Sequence, residues 1–185
     1  MNAAVLQARR LLRADISTKL LSEGGRLTRP MLRITLAWLH LVALAVGFGS
    51  VYSRGRCLAQ RPLTLRDVHR AFVADSWWGI AALLLLVTGL WRLLGGVEKA
   101  TSYYQHNSIF AAKMGLFLLV VALEIWPMVA LIKWRRAIRR TGEGWQADER
   151  TAAKISAISY IEGAIVLLIV LAAVMMARGF GYRGH

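Results

Sequence analysis

The stretch from Gln105 to Trp134 leaves this chain few folds to choose from. It is long and apolar enough to cross a bilayer as a helix, yet it carries His106, Lys113 and Glu124. These residues stand seven and eleven positions apart. At about 100° per residue both intervals close to within about 20° of whole turns, so the three side chains share one face. An ionisable group near the middle of a transmembrane helix costs roughly 2.5–3.5 kcal/mol on insertion scales, so such a face turns into a bundle or a water-filled cavity. Lys113 and His106 are close enough to a helix end to snorkel to the interface. Glu124 is too deep and too short for that.

Three further apolar runs complete the pattern, and the expected spans are residues 31–53, 77–94, 107–132 and 155–177. The predicted fold is all-α: a polytopic membrane protein forming a four-transmembrane-helix bundle over residues 31–181, with a tail at 182–185. A formal charge of +14 would suggest nucleic acid in a soluble protein. Here the basic residues gather at the ends of the apolar runs, which orients helices in a membrane, so the expected partner is the lipid bilayer and not nucleic acid. Connections 54–76 and 133–154 hold twelve basic residues, against Lys99, Arg178 and Arg183 on the other side. The positive-inside rule therefore puts both long connections in the cytoplasm and both termini outside. Cys57 is the only cysteine, which excludes an intramolecular disulfide and a multi-cysteine metal site.

Residues 1–30 form a basic N-terminal segment with too short an apolar run to be a span. Two readings stand open. Val5, Leu12 and Ile16 fall near one face, as in an amphipathic helix lying on a membrane. Alternatively, translation begins at Met31, because seven basic residues from Arg9 to Arg33 on the outer side conflict with positive-inside.

Within the spans, polar residues fall on helical stripes. His40, Ala43, Gly47, Ser50 and Arg54 line the first, with Ala43 and Gly47 as a small-residue step that lets another helix come close. Thr64 to Asp67 reads as a capping box opening a short interfacial helix, and Asp75 or Ser76 as the N-cap of the second span. Trp78, Ala81, Leu85, Thr88 and Arg92 line that span, and Ser159, Glu162, Ile169, Ala173 and Met176 line the fourth. At about 1.5 Å per residue, His40, Lys113, Met175 and Met176 share an outer layer and Glu124 and Glu162 an inner one, with Arg54 in reach of the carboxylates. Two facing carboxyls out of water favour sharing a proton over carrying two charges.

The runs Ala37–Ala43 with Gly47–Ser50, Trp77–Ala82, Thr88–Arg92, Ala112–Leu116 and Leu123–Met128 resemble a family of predicted bacterial inner-membrane proteins with a domain of unknown function, over about Leu36 to Gly181. The resemblance implies location in the bacterial inner (cytoplasmic) membrane and implies no activity. More distantly, Trp38-x-His40 in the first span and a lysine opening a later one resemble the HemJ-type protoporphyrinogen oxidases and the CopD copper-resistance membrane proteins. The HemJ likeness implies His40 as a haem ligand and Lys113 as an important lysine. The HemJ pattern has a further histidine after its lysine, where this chain has Glu124 and Trp126.

These readings leave three functional classes. The first is a haem-b-binding redox protein, a membrane oxidoreductase working with a porphyrin or redox partner. In it His40 is the axial ligand in the outer half between spans one, three and four, with Ala43 and Gly47 leaving room for a flat macrocycle. Lys113 or Arg92 pair with propionates, Met176 supplies a weaker second ligand, and His106 serves only if its first turn bends inward. The second is a copper-handling protein binding the metal through His40 with Met114, Met175 or Met176. The third is a proton-coupled transporter or helper subunit whose working groups are Glu124 and Glu162. No hydrolase triad, phosphate loop or multi-histidine zinc site is present in the sequence.

Overall fold

The computed structural model describes residues 3–94 and 107–181, with side chains from Pro30 onward apart from Glu143. Four long helices account for most of them: α1 (Ala3–Leu58), α2 (Leu65–Leu94), α3 (Ser108–Thr141) and α4 (Glu149–Ala177), with a 3-10 turn at Gly142–Gly144. All four contain a segment long and apolar enough to cross a membrane, and among the described residues there is no sheet.

Two compact units divide the chain, residues 1–39 and 40–185. The first is the N-terminal part of α1, helical from Ala3 through Pro30 into the first span, so no break separates residues 3–30 from that span. Met31, Ile34 and Trp38 are exposed there, as suits a helix in contact with lipid.

In the second unit the helices run up and down past one another, and two apolar layers hold them together. One layer joins Leu58 of α1, Val68 and Ala71 of α2, Leu131 and Trp134 of α3, and Ala152 and Ile155 of α4. The other joins Val51, Trp78, Val120, Ile165 and Val166. Between these layers each helix contributes polar groups: Arg54, Asp75, Glu124, and Ser159 with Glu162. The opposite faces are hydrocarbon, with Leu83, Leu118, Ile125, Leu167 and Leu171 exposed to the bilayer.

Helix boundaries correct two expectations, the interfacial helix and the cap of the second span. The Thr64–Asp67 box forms, with Thr64 N donating to Asp67 Oδ2 and Asp67 N to Thr64 Oγ1, each at 3.2 Å. The helix it opens continues unbroken to Leu94, however, so no separate interfacial helix forms and neither Asp75 nor Ser76 is an N-cap. Ser76 Oγ instead donates back to Phe72 O at 2.9 Å. No proline interrupts residues 65–94, so a well-capped helix has no reason to stop. At the other connection α3 runs nine residues past 132, to Thr141, and α4 starts at Glu149 behind an Asp148 cap, because those basic residues are good helix formers. The N-cap of α3 is Asn107, whose Oδ1 accepts from Ile109 N and Phe110 N. Ser108 N also donates to Gly181 O at 3.1 Å, so the turn after α4 closes on the start of α3.

Candidate functional site

Arg54 stands one turn past Val51 and one turn before Leu58, so α1 carries it inward between the two apolar layers, where it is fully buried. A buried guanidinium needs acceptors for all five N–H groups, and the other three helices supply them. Nε donates to Ser159 Oγ at 2.9 Å. Nη1 donates to Asp75 Oδ1 at 3.0 Å and Glu124 Oε1 at 2.7 Å. Nη2 donates to Glu124 Oε2 at 2.8 Å and Glu162 Oε2 at 2.7 Å. The contact with Glu124 is a two-pronged fork, the strong geometry for arginine and carboxylate. Glu124 and Glu162 share one nitrogen, so their bonded oxygens are no farther apart than those two bonds laid end to end.

A second guanidinium closes the cluster. Arg135 Nη2 donates to Asp75 Oδ2 at 3.0 Å and to Phe72 O at 2.8 Å, with its carbon 4.9 Å from the centre of the Phe72 ring. Exposure grades along the cluster: the Glu162 side chain is 0% exposed, Asp75 12%, Glu124 20% and Arg135 33%. Two cations thus face three carboxyl groups, which leaves one negative charge over if all are ionised. Among the described residues, the buried side-chain oxygen Glu162 Oε1 has no hydrogen-bond partner.

Close helix approach makes the cluster possible. Ser156 Oγ of α4 donates to Gly55 O at 2.8 Å, and a Cβ on Gly55 would sit 3.3 Å from Ser159 Cβ. Measured along the helices, Glu162, Glu124 and Asp75 lie about 22, 24 and 29 Å from the ends of α4, α3 and α2 at the other side of the bundle. In a hydrocarbon core about 30 Å thick, all three fall in the half nearer the basic connections.

Sequence reasoning set Glu124 and Glu162 in one layer with Arg54 in reach. The structure adds that Arg54 bonds both at once. It also brings in three groups read otherwise: Asp75 as a cap, Arg135 as part of a connection, and Ser159 as a helix-contact residue. The signal for Asp75 was the capping box itself, which commits the residues after it to one helix.

The outer layer holds a second polar pair. His40 Nδ1 lies 2.7 Å from Thr88 Oγ1, and Thr88 Oγ1 lies 2.6 Å from Leu84 O. A carbonyl only accepts, so the hydroxyl gives its single proton to Leu84 and must accept from the ring. Nδ1 therefore carries the hydrogen, and in neutral His40 the lone pair is on Nε2. Thr88 is buried, and the ring packs beside Gly89, whose added Cβ would meet His40 Cε1 at 3.6 Å. Lys113, Arg92, Met114 and Met176 are half-buried and Met175 is exposed. His106 lies outside the described residues. Among the described residues no three His, Cys, Asp or Glu side chains are grouped to hold a metal ion.

Comparison with known proteins joins this geometry to a family. The model of the family described as Predicted membrane protein (DUF2214) matches residues 32–181. The chain belongs to that family. No curated protein and no solved structure matches it. The DUF2214 match takes in Arg54, Asp75, Glu124, Arg135, Ser159, Glu162, His40 and Thr88. The protein is accordingly an integral membrane protein of four spans, with both polar layers inside the family region.

Proposed function

We propose that this protein couples its work to proton movement, as a transporter or the helper subunit of one, with Glu124 and Glu162 sharing one exchangeable proton at the Arg54 cluster. The observation that carries this reading is the convergence of three carboxyl groups from three helices on a single buried guanidinium. Intramembrane ionisable residues are costly and mark proton and ion routes. Here one proton balances the charge, and the oxygen without a hydrogen bond, Glu162 Oε1, is the atom able to carry it. Exposure supplies a direction, falling from Arg135 through Glu124 and Asp75 to the fully buried Glu162. By positive-inside the basic end is cytoplasmic, in a bacterial inner membrane with both termini outside.

Infrared difference spectra of the protein in liposomes test the shared proton. A protonated carboxylic-acid band should appear near neutral pH and be lost in Glu162→Gln. Proteoliposomes enclosing a pH-sensitive dye test the coupling: an imposed gradient should move protons through wild type and not through Glu162→Gln. Spectra of both Glu124→Gln and Glu162→Gln that lose no acid band would refute the shared proton.

A second reading rests on His40. A ligating imidazole commonly donates its other N–H to a polar group that fixes its tautomer and orientation, and Thr88 accepts such a bond. His40 Nε2 would hold a b-type haem, with Lys113 or Arg92 on the propionates and Met176 as second ligand; the ring meets Thr88 and Gly89 of α2, and the room expected for the macrocycle at Gly47 is filled by the Trp78 ring, 3.1 Å from an added Cβ. Bound haem supplies one-electron redox chemistry. The same nitrogen with Met114, Met175 or Met176 fits copper(I) as the alternative. Reduced-minus-oxidised spectra of wild type and His40→Ala, expressed with haem precursor, test it. A folded wild type without haem bands removes the haem reading, and equal bands in both move the ligand elsewhere.

A further inference from the structure

Between α1 and α2 a groove of about 580 Å³ opens to the outside of the bundle, lined by none of the acceptors of Arg54. Its floor on α1 is made of small residues, Gly49 and Ser53 among them, and its wall on α2 includes Val73 and Trp77, both more than half exposed. Arg66 and Arg70, one turn apart on α2, line its end beside His69. Among the described residues neither arginine enters an ion pair or a side-chain hydrogen bond, unlike Arg54, Arg61 and Arg135. The acid between them, Asp67, is held by Thr64 in the helix cap.

Depth gives the groove a polarity. With Leu94 as the outer boundary, Trp77 lies about 26 Å down α2, and Arg70 and Arg66 about 36 and 42 Å. The tryptophan is then within a hydrocarbon core about 30 Å thick, Arg70 is about 6 Å beyond it at headgroup level, and Arg66 is about 12 Å beyond, from where its long side chain reaches back toward the headgroups. A soluble anion has no use for the apolar part, and a neutral chain has none for two unpaired arginines.

We infer that this groove binds an anionic phospholipid, with one acyl chain along Gly49, Ser53, Val73 and Trp77 and its phosphate between Arg66 and Arg70. Basic pockets between spans at the cytoplasmic side are the setting in which such headgroups bind. This inference stands apart from the proton and haem readings, since it uses none of their residues.

The test is lipid retention by the purified full chain taken from nanodiscs of equal phosphatidylglycerol and phosphatidylcholine, read by native mass spectrometry. Wild type should keep phosphatidylglycerol in preference. The Arg66→Gln, Arg70→Gln double variant should keep it about twenty-five-fold less well, at roughly five-fold per arginine. Both arginines are exposed, so thermal stability should not change. Gly49→Leu fills the groove, where an added Cβ meets nothing within 4 Å, and should reduce phosphatidylglycerol retention without unfolding. Equal retention of the two lipids by wild type, undiminished phosphatidylglycerol in either variant, or its displacement by inorganic phosphate alone would overturn the assignment.

Discussion

Arg54→Met is the most informative single change. It removes five hydrogen bonds and leaves Asp75, Glu124 and Glu162 facing one another without their central cation. Counting each charged hydrogen bond at about 1.5–3 kcal/mol would give a loss on the order of 10 kcal/mol. That sum overshoots, because the desolvation of the arginine is recovered when it is removed and carboxyls deprived of a partner neutralise by taking up protons. The loss expected from breaking a buried ion pair, about 3–5 kcal/mol, is the appropriate figure. Protons replace the lost cation, so the loss should shrink as pH falls. The assay is unfolding in mixed micelles by denaturing detergent, for wild type, Arg54→Met, and the triple variant Arg54→Met, Glu124→Gln, Glu162→Gln. The triple variant has lost the stranded charges and should recover most of the stability. A single variant within about 1 kcal/mol of wild type at neutral pH, the range of exposed ion pairs, would refute the reasoning, as would a triple variant no more stable than the single.

Thr88→Val should cost about 0.6–1.7 kcal/mol, the range for hydrogen bonds between spans, well below Arg54→Met in the same assay. Gly47→Ala should destabilise by about 1 kcal/mol or more, since its Cβ would meet the buried Trp78 ring at 3.1 Å and Ala81 at 3.2 Å. Gly163→Ala, with its nearest neighbour at 3.7 Å, should be neutral or stabilising; the reverse order in thermal melts would contradict the packing. In a Cys57→Ser background, a cysteine at Thr141 should label from the cytoplasmic side and one at Ser102 from the outside, and the opposite pattern would invert the topology. Asp148 caps α4, and its carboxyl is held below its ordinary value of 3.8 by the Thr151 hydroxyl and then the Arg150 N–H. A depressed folded value means the cap is at full strength above about pH 4 and is lost as pH falls through that lower value. Asp148→Ala should abolish that acid-induced fraying of α4, which hydrogen exchange would detect.

The four spans were legible because lipid forces each crossing segment to satisfy its backbone internally, so length and hydropathy decide the matter before packing begins. The depth of Glu124 and Glu162 followed from rise per residue, and the Thr64 cap from local spacing. That α2 begins at Leu65 and runs unbroken through Asp75 was missed, because a polar residue inside a helix and one that caps it look alike until the neighbouring helices are in place. Asp75 is the plain case: its sequence surroundings suit an N-cap, and only the approach of Arg54 and Arg135 makes it an interior carboxylate. Which carboxyls meet Arg54 depends on how each helix is rotated about its axis and how closely Gly55 lets α4 approach. A stripe states which residues share a face but not what that face will meet. The sequence determined that charged groups would be buried at one level; tertiary packing decided that a single guanidinium would hold them there, because only the three other helices together supply its five acceptors.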